Sequence, residues 1–279
     1  MQLPPIFRVR QQFDAMRVKD VGVQTRLELA ALGLERQVSA GERVAITVGS
    51  RGIRDIRPIV QAIVAYFQAL GARPFIVPAM GSHGGATARG QVRVLADYGI
   101  TEAACGCPIL ATMDTVIVRQ TEQGFPVHFD RHAFEADHVF LCNRIKPHTD
   151  FSGDVESGLM KMMLIGLGNH AGAKIYHRAI QDYSFDEIVR TVARHVVAHC
   201  RILGGLAILE NGYDETAALV ALPAAALIDR EPELLCRAKE LLARLPFDRV
   251  DLLVVDEMGK NISGNGIDTN VVGRKFHGH

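Results

Sequence analysis

Arg43-Val-Ala-Ile-Thr-Val-Gly-Ser-Arg-Gly52 and Pro74-Phe-Ile-Val-Pro-Ala-Met-Gly-Ser-His-Gly-Gly-Ala-Thr87 decide the fold. Each is a short apolar run that breaks into a glycine-bearing loop, as a buried strand does on reaching the rim of a sheet. Between them Asp55 is placed to cap a helix running to about Leu70, with Ile59, Ile63, Val64 and Phe67 at helical spacing and Gly71 ending it. A further helix is expected near Ala88–Tyr98. Strand, helix, strand, helix in this order implies a parallel sheet with right-handed crossovers.

The same grammar extends outward. Val116–Val118 and Asp137–Cys142 read as strands, and Asp182–Cys200 reads as a long helix with Phe185, Ile188, Val189, Val192 and Val196 on one face. Leu206–Leu209 and Leu252–Val255 read as two more strands around a helix over Glu231–Leu245. The fold class is therefore α/β, a Rossmann-like parallel sheet with flanking helices, plus the start of a second α/β domain. Pro246 marks the boundary, giving an N-terminal cofactor- and substrate-binding domain over 1–246 and the truncated beginning of a second over 247–279. The Gly- and Asn-rich stretch 261–279 ends without an obvious terminal element.

Bulk composition narrows the function. Of 279 residues 48% are hydrophobic and 22% charged, which is ordinary soluble globular usage. Acidic and basic residues balance at 31 each and there is no Trp, so neither a basic field nor an aromatic platform invites nucleic acid. No secretory signal opens the chain, and no uncharged apolar run reaches the ~18 residues of a membrane span. The five scattered cysteines fit a reducing cytoplasm, and Cys105 and Cys107, the only close pair, read better as buried small residues than as metal ligands.

In an open α/β sheet, ligands bind beyond the carboxyl ends of the strands. There the first strand delivers Arg51, the second His83, and the Phe140 strand Arg144, Lys146 and His148. Imidazole titrates near neutral pH and guanidinium holds a carboxylate through two parallel hydrogen bonds, so these residues together suit an anionic substrate and acid/base chemistry. His83 sits among Ser82, Gly84 and Gly85, ahead of a helix whose free N–H groups can meet an anion. A histidine serving a turn, and a solvated basic loop at 144–148, are the bland alternatives. Lys161 lies inside the apolar run Gly158–Ile165, where desolvation would favour a neutral, nucleophilic amine, unless it snorkels to water. His170 follows on the glycine-flexible loop Gly166-Leu-Gly-Asn-His170, as a metal site would need.

Taken in order, Gly49-Ser-Arg51, Gly81-Ser-His83, Lys146-Pro-His148, Lys161, Asn169-His170 and Gly264-Asn-Gly-Ile-Asp-Thr-Asn270 resemble the nickel-dependent lactate racemase family. The resemblance implies a racemase or epimerase that inverts the carbinol carbon of a 2-hydroxy acid by hydride transfer. It implies a nickel-pincer nucleotide, the pyridinium-3,5-bisthiocarboxylic acid mononucleotide with nickel, attached at Lys161. His170 would ligate nickel, His83 and His148 would act as base and acid on opposite sides of the substrate carbon, and Arg51 would hold the carboxylate. Ser82, Gly84, Gly85 and Lys146 would serve the cofactor, and Arg144 the substrate. Cofactor-synthesis enzymes would be transient partners, with a homo-oligomer as a further possibility. The sequence departs from the family at Val271, Val272, Gly273 and Arg274, where the lactate enzymes carry polar substrate-facing residues. Its His148–Lys161 spacing is longer and its Lys161–His170 spacing shorter than theirs, which places it in a divergent branch.

Two other readings compete: a metallohydrolase using His83, His148 and His170 around zinc, and a non-enzymatic module binding an anionic nucleotide or cofactor. His195 and His199 have a zinc-compatible spacing, but His-Val-Val-Ala-His lacks the Glu of a zincin helix. His128, His132 and His138 flank or occupy a strand, and His277 and His279 belong to the tail.

Overall fold

The computed structural model describes residues 6–50, 52–259, 262–263 and 266–273. In chain order the elements are α1 (Val21–Ala31), β1 (Arg43–Val48), α2 (Ile56–Ala69), β2 (Arg73–Pro78), α3 (Ala88–Asp97) and α4 (Glu102–Cys105). Then come β3 (Thr115–Gln120), β4 (Pro126–Asp130), α5 (Arg131–Phe134), β5 (His138–Arg144), α6 (Leu159–Lys161), a π-helical turn over Met162–Gly166, and α7 (Asn169–Ala179). The chain continues through α8 (Phe185–His199), β6 (Ile202–Glu210), β7 (Thr216–Pro223), α9 (Leu227–Leu241) and the short α10 (Thr269–Val272).

Five strands form one sheet in the order β2-β1-β5-β6-β7, parallel except for the antiparallel pair β6–β7. Side chains alternate between two cores, as a strand's period of two requires. Val44, Ile46, Phe140 and Cys142 face one core with Ile59, Ile63 and Phe67 of α2. Ala45, Val139 and Leu141 face the other, with Phe185, Ile188 and Val192 of α8 and Leu234 of α9. Helices on both faces bury the sheet on both sides, the expected α/β arrangement.

Several expectations need correction. Val116–Val118 does not join the main sheet: it lies in β3, which pairs only with β4, antiparallel, as a separate two-stranded ribbon. Leu252–Val255 is not a strand. Those residues are irregular, with Leu252 and Val254 each 79% exposed, because a β-branched run acquires strand geometry only with a neighbour to satisfy its N–H and C=O groups. Asp55 precedes α2 without capping it through its side chain; its carboxylate accepts the Thr216 hydroxyl at 2.7 Å, tying α2 to β7.

Phe140 is fully buried at the centre of the sheet and meets the Phe67 ring edge-on, centroids 5.5 Å apart. Phe140→Ala leaves a cavity where sheet and helix meet. The expected cost is about 3–5 kcal/mol, read as a lower urea midpoint with an unchanged slope.

Candidate active site

A cavity of about 860 Å³ opens where the carboxyl ends of β1, β2 and β5 meet α7 and the start of α8. Gly49 and Ser50 line it from the β1 exit, Ser82 and His83 from the β2 exit, and Asn143 from β5. His148 and Phe151 come from the long loop after β5, and Lys161 and Met162 from α6 and the π-helical turn. The opposite wall is α7 and the α8 start, through Tyr176, His177, Tyr183 and Phe185.

His83 is oriented through Nδ1, which hydrogen-bonds the Ser50 hydroxyl. The Ser50 carbonyl in turn accepts the Tyr98 hydroxyl at 2.7 Å, so α3 steadies the β1 exit against His83. His148 is oriented differently. Its Nδ1 accepts the backbone N–H of Asp150 at 3.1 Å, and its ring stacks on Phe151 with centroids 3.8 Å apart and planes 11° from parallel. Phe151 also packs on Phe185 at 4.0 Å, and the Lys161 ammonium lies 5.5 Å from the Phe151 centroid, within cation–π reach. Burial, and then the Asp150 charge, push the Tyr176 phenol up, so Tyr176 remains a hydroxyl donor at neutral pH.

Lys161 ends α6, whose continuation is the π-helical turn, closed by the Leu167 N–H donating to the Met162 carbonyl at 2.8 Å. Such turns interrupt regular helix at a cost and recur at functional sites. The chain then reverses at Asn169 (φ +52°), whose amide donates to Asp130 at 2.8 Å and to the Thr112 carbonyl at 3.1 Å.

The sequence matches the lactate racemase N-terminal domain over residues 18–186, a span that includes every residue lining this cavity. The chain belongs to that family. Among solved structures it is similar to the lactate racemase apoprotein from Thermoanaerobacterium thermosaccharolyticum, at 12% identity and a TM-score of 0.56. The likeness covers 82% of this chain and 57% of that one, and at such identity it carries the fold alone. The chain therefore spans little more than half the length of this relative. No curated protein matches the sequence.

Within the racemase-family domain, the expected site residues divide. His83, His148, Lys161 and Ser82 line one cavity. Arg144 is not among the lining residues: it pairs with Glu210 of β6, whose carboxylate also accepts the Arg54 N–H. Lys146 likewise lies off the lining and pairs with Asp268 at 3.6 Å. Gly84 and Gly85 do not reach the cavity either. Gly84 (φ +66°) packs on the first turn of α3, where a Cβ would meet the Gln91 nitrogen at 2.6 Å, so its lack of a side chain serves packing. The Thr87 hydroxyl accepts the Gly90 N–H of that turn. Arg51 lies outside the described residues, as do Gly264, Asn265, Arg274, His277 and His279.

His170 also falls outside the lining, although its Nδ1 is buried without a hydrogen-bond partner among the described residues. His177 takes the cavity position instead. Ala173, His177 and Ile180 form a stripe at helical spacing, and His170 lies on the same stripe two turns earlier, about 10 Å along the axis. Among the described residues, no group of three or more His, Cys, Asp or Glu side chains is arranged to hold a metal by itself. His138 is tied to Glu42 at 2.9 Å and His128 to Thr115 at 2.8 Å, both away from the cavity. No helix among the described residues is long and apolar enough to cross a membrane.

Beneath α6 lies Glu231 of α9, fully buried, with Oε2 accepting the Met160 N–H at 2.8 Å. Burial raises its carboxyl from 4.5 to about 7, against a lowering by that N–H. Because the folded value exceeds the unfolded one, this contribution to stability is complete below pH 4.5 and is lost as pH rises through about 7. Urea midpoints of the wild type should therefore fall across that interval relative to those of Glu231→Gln. Parallel pH curves for the two proteins would contradict the assignment.

Proposed function

We propose that this chain inverts the carbinol carbon of a small 2-hydroxy acid, with a nickel-pincer nucleotide held in the cavity. The observation that carries the reading is one cavity lined by Lys161 and by His83, His148 and His177, in a domain of the lactate racemase family. A pocket of about 860 Å³ is within the range that holds a nucleotide-sized group. The residues present suit that group: an amine for a covalent link at Lys161, an imidazole for nickel at His177, and hydroxyls at Ser82, Ser152 and Ser157 for its phosphate or ribose. When bound, the group supplies the acceptor and donor of hydride for the carbinol carbon.

The chain's own residues do the rest. Removing hydride from a carbinol carbon is easy only if the hydroxyl proton leaves with it, so a base must stand at the oxygen. Either His83 or His148 takes that proton at its ring nitrogen, and for the opposite enantiomer the other imidazole does so. Arg51 keeps its assignment to the substrate carboxylate. Arg144 and Lys146 do not, since each is already paired with a carboxylate. The metal-facing position moves from His170 to His177 because only His177 shares the cavity with Lys161.

The test is co-expression with the cofactor-synthesis enzymes and nickel, followed by chiral chromatography of 2-hydroxy acids. Inversion of at least one acid is expected, and His83→Ala and His148→Ala should each lose ~10²–10⁴-fold in rate. His177→Ala should purify without nickel while His170→Ala retains it. The reverse metal pattern would return the ligand to His170. Ligand binding without turnover, untouched by His83→Ala, would favour a binding module.

A further inference from the structure

The loop after β5 runs over residues 145–158 to the start of α6 and carries His148, its base closed by the paired backbones of Lys146 and Ser157. A loop of that kind holds a side chain only as well as its own peptides are held. At His148 both peptide groups are held, by parts of the chain far apart in sequence. On one side, Glu156 Oε2 accepts the His148 N–H at 2.6 Å, and its Oε1 meets the Lys239 ammonium of α9 at 2.7 Å. The Glu156 side chain is 0% exposed. Lys239 also donates to the Gly153 carbonyl and Glu156 accepts the Gly153 N–H, each at 3.4 Å, so the loop is wrapped around this ion pair. On the other side, the Asn270 amide donates to the His148 carbonyl at 3.1 Å and the Thr269 hydroxyl to the Thr149 carbonyl at 2.7 Å.

An ion pair between a buried carboxylate and a half-exposed ammonium adds little net stability, since desolvation of the acid offsets much of the attraction, but it fixes geometry. Here the geometry has a chemical consequence. The Asp150 N–H can only donate, so His148 Nδ1 must accept, and the neutral ring carries its proton on Nε2. His83 is different, because a serine hydroxyl can donate to Nδ1 or accept from it.

We propose that Glu156, Lys239, Thr269 and Asn270 are positioning residues: a two-sided clamp that sets the orientation and the tautomer of His148. The proposal rests on reading His148 as an acid/base group, and its test separates the two claims. The full-length chain, labelled with 15N-histidine, is observed above the titration of its imidazoles, with the His148 ring assigned from His148→Gln. The wild type should show an unprotonated Nδ1 and a protonated Nε2 at His148. The double variant Glu156→Gln/Lys239→Met, and separately Asn270→Ala, should move both nitrogens toward a tautomer average while the His83 signals stay in place. Should the double variant fail to fold, Asn270→Ala, which leaves the Glu156–Lys239 pair intact, carries the test alone.

In loaded enzyme the same variants should lower kcat by ~10- to 100-fold with KM nearly unchanged, the signature of misplaced chemistry. Lys239→Arg, which keeps the charge, should restore most of that loss. His148 signals identical in all variants would overturn the clamp. Moved signals with undiminished kcat would overturn its bearing on chemistry. Moved signals in a protein that inverts no 2-hydroxy acid would overturn the reading of function and leave the clamp standing.

Discussion

Between the exit of β2 and the π-helical turn, two backbones touch with no side chain between them. The Gly81 N–H approaches the Gly166 carbonyl at 3.4 Å. A Cβ on Gly166 would lie 2.8 Å from the Ala79 carbonyl oxygen, and one on Gly81 would lie 2.8 Å from Ile165 Cγ2. Glycine at both positions lets the turn settle directly on the rim of the sheet. Gly81 introduces His83 and the turn follows Lys161, so this contact sets the distance between the strand-borne imidazole and the lysine. It also fixes the start of α7 and with it the place of His177. A larger residue at either glycine would lift the whole second wall of the cavity.

Around that contact, loops are held by buried carboxylates. Asp130 receives the Asn169 amide and the Ala133 N–H, locking the reversal that begins α7. Glu231 supports α6 from below. Glu156 gathers the loop of His148. Each is an unfavourable residue to bury, and each is matched to a donor that would otherwise be left unsatisfied. The sheet supplies a rigid platform, and the acids convert irregular connections into fixed ones at its rim.

Much of this was legible in the sequence. β1, β2 and β5 announce themselves as apolar runs entering polar or glycine-bearing loops, β6 through the short run Leu206–Leu209, and α2 and α8 by spacing. β7 was not legible, because Thr216–Pro223 is largely alanine and leucine and becomes a strand only by pairing with β6. Leu252–Val255 failed the other way: its composition suits a strand, but composition cannot supply a neighbour. At the rim, His83, His148 and Lys161 stand out in the sequence because they follow strands or interrupt an apolar run, and all three line the cavity. His177 lies in Lys-Ile-Tyr-His-Arg, which reads as a solvated helix, and only the stripe from Ala173 to Ile180 betrays that it faces a cavity. Arg144 and Lys146 show another limit, because a cation after a strand looks the same in the sequence whether free or paired. Their partners, Glu210 and Asp268, are distant in sequence.

The central claim is that Lys161 is the attachment point around which the cavity is organised. Its most direct test is peptide mapping by mass spectrometry after co-expression with nickel and the cofactor-synthesis enzymes. The expected result is a nucleotide-sized addition confined to the peptide containing Lys161 and absent from Lys161→Arg. An unmodified Lys161, under conditions that load a lactate racemase prepared alongside, would contradict it.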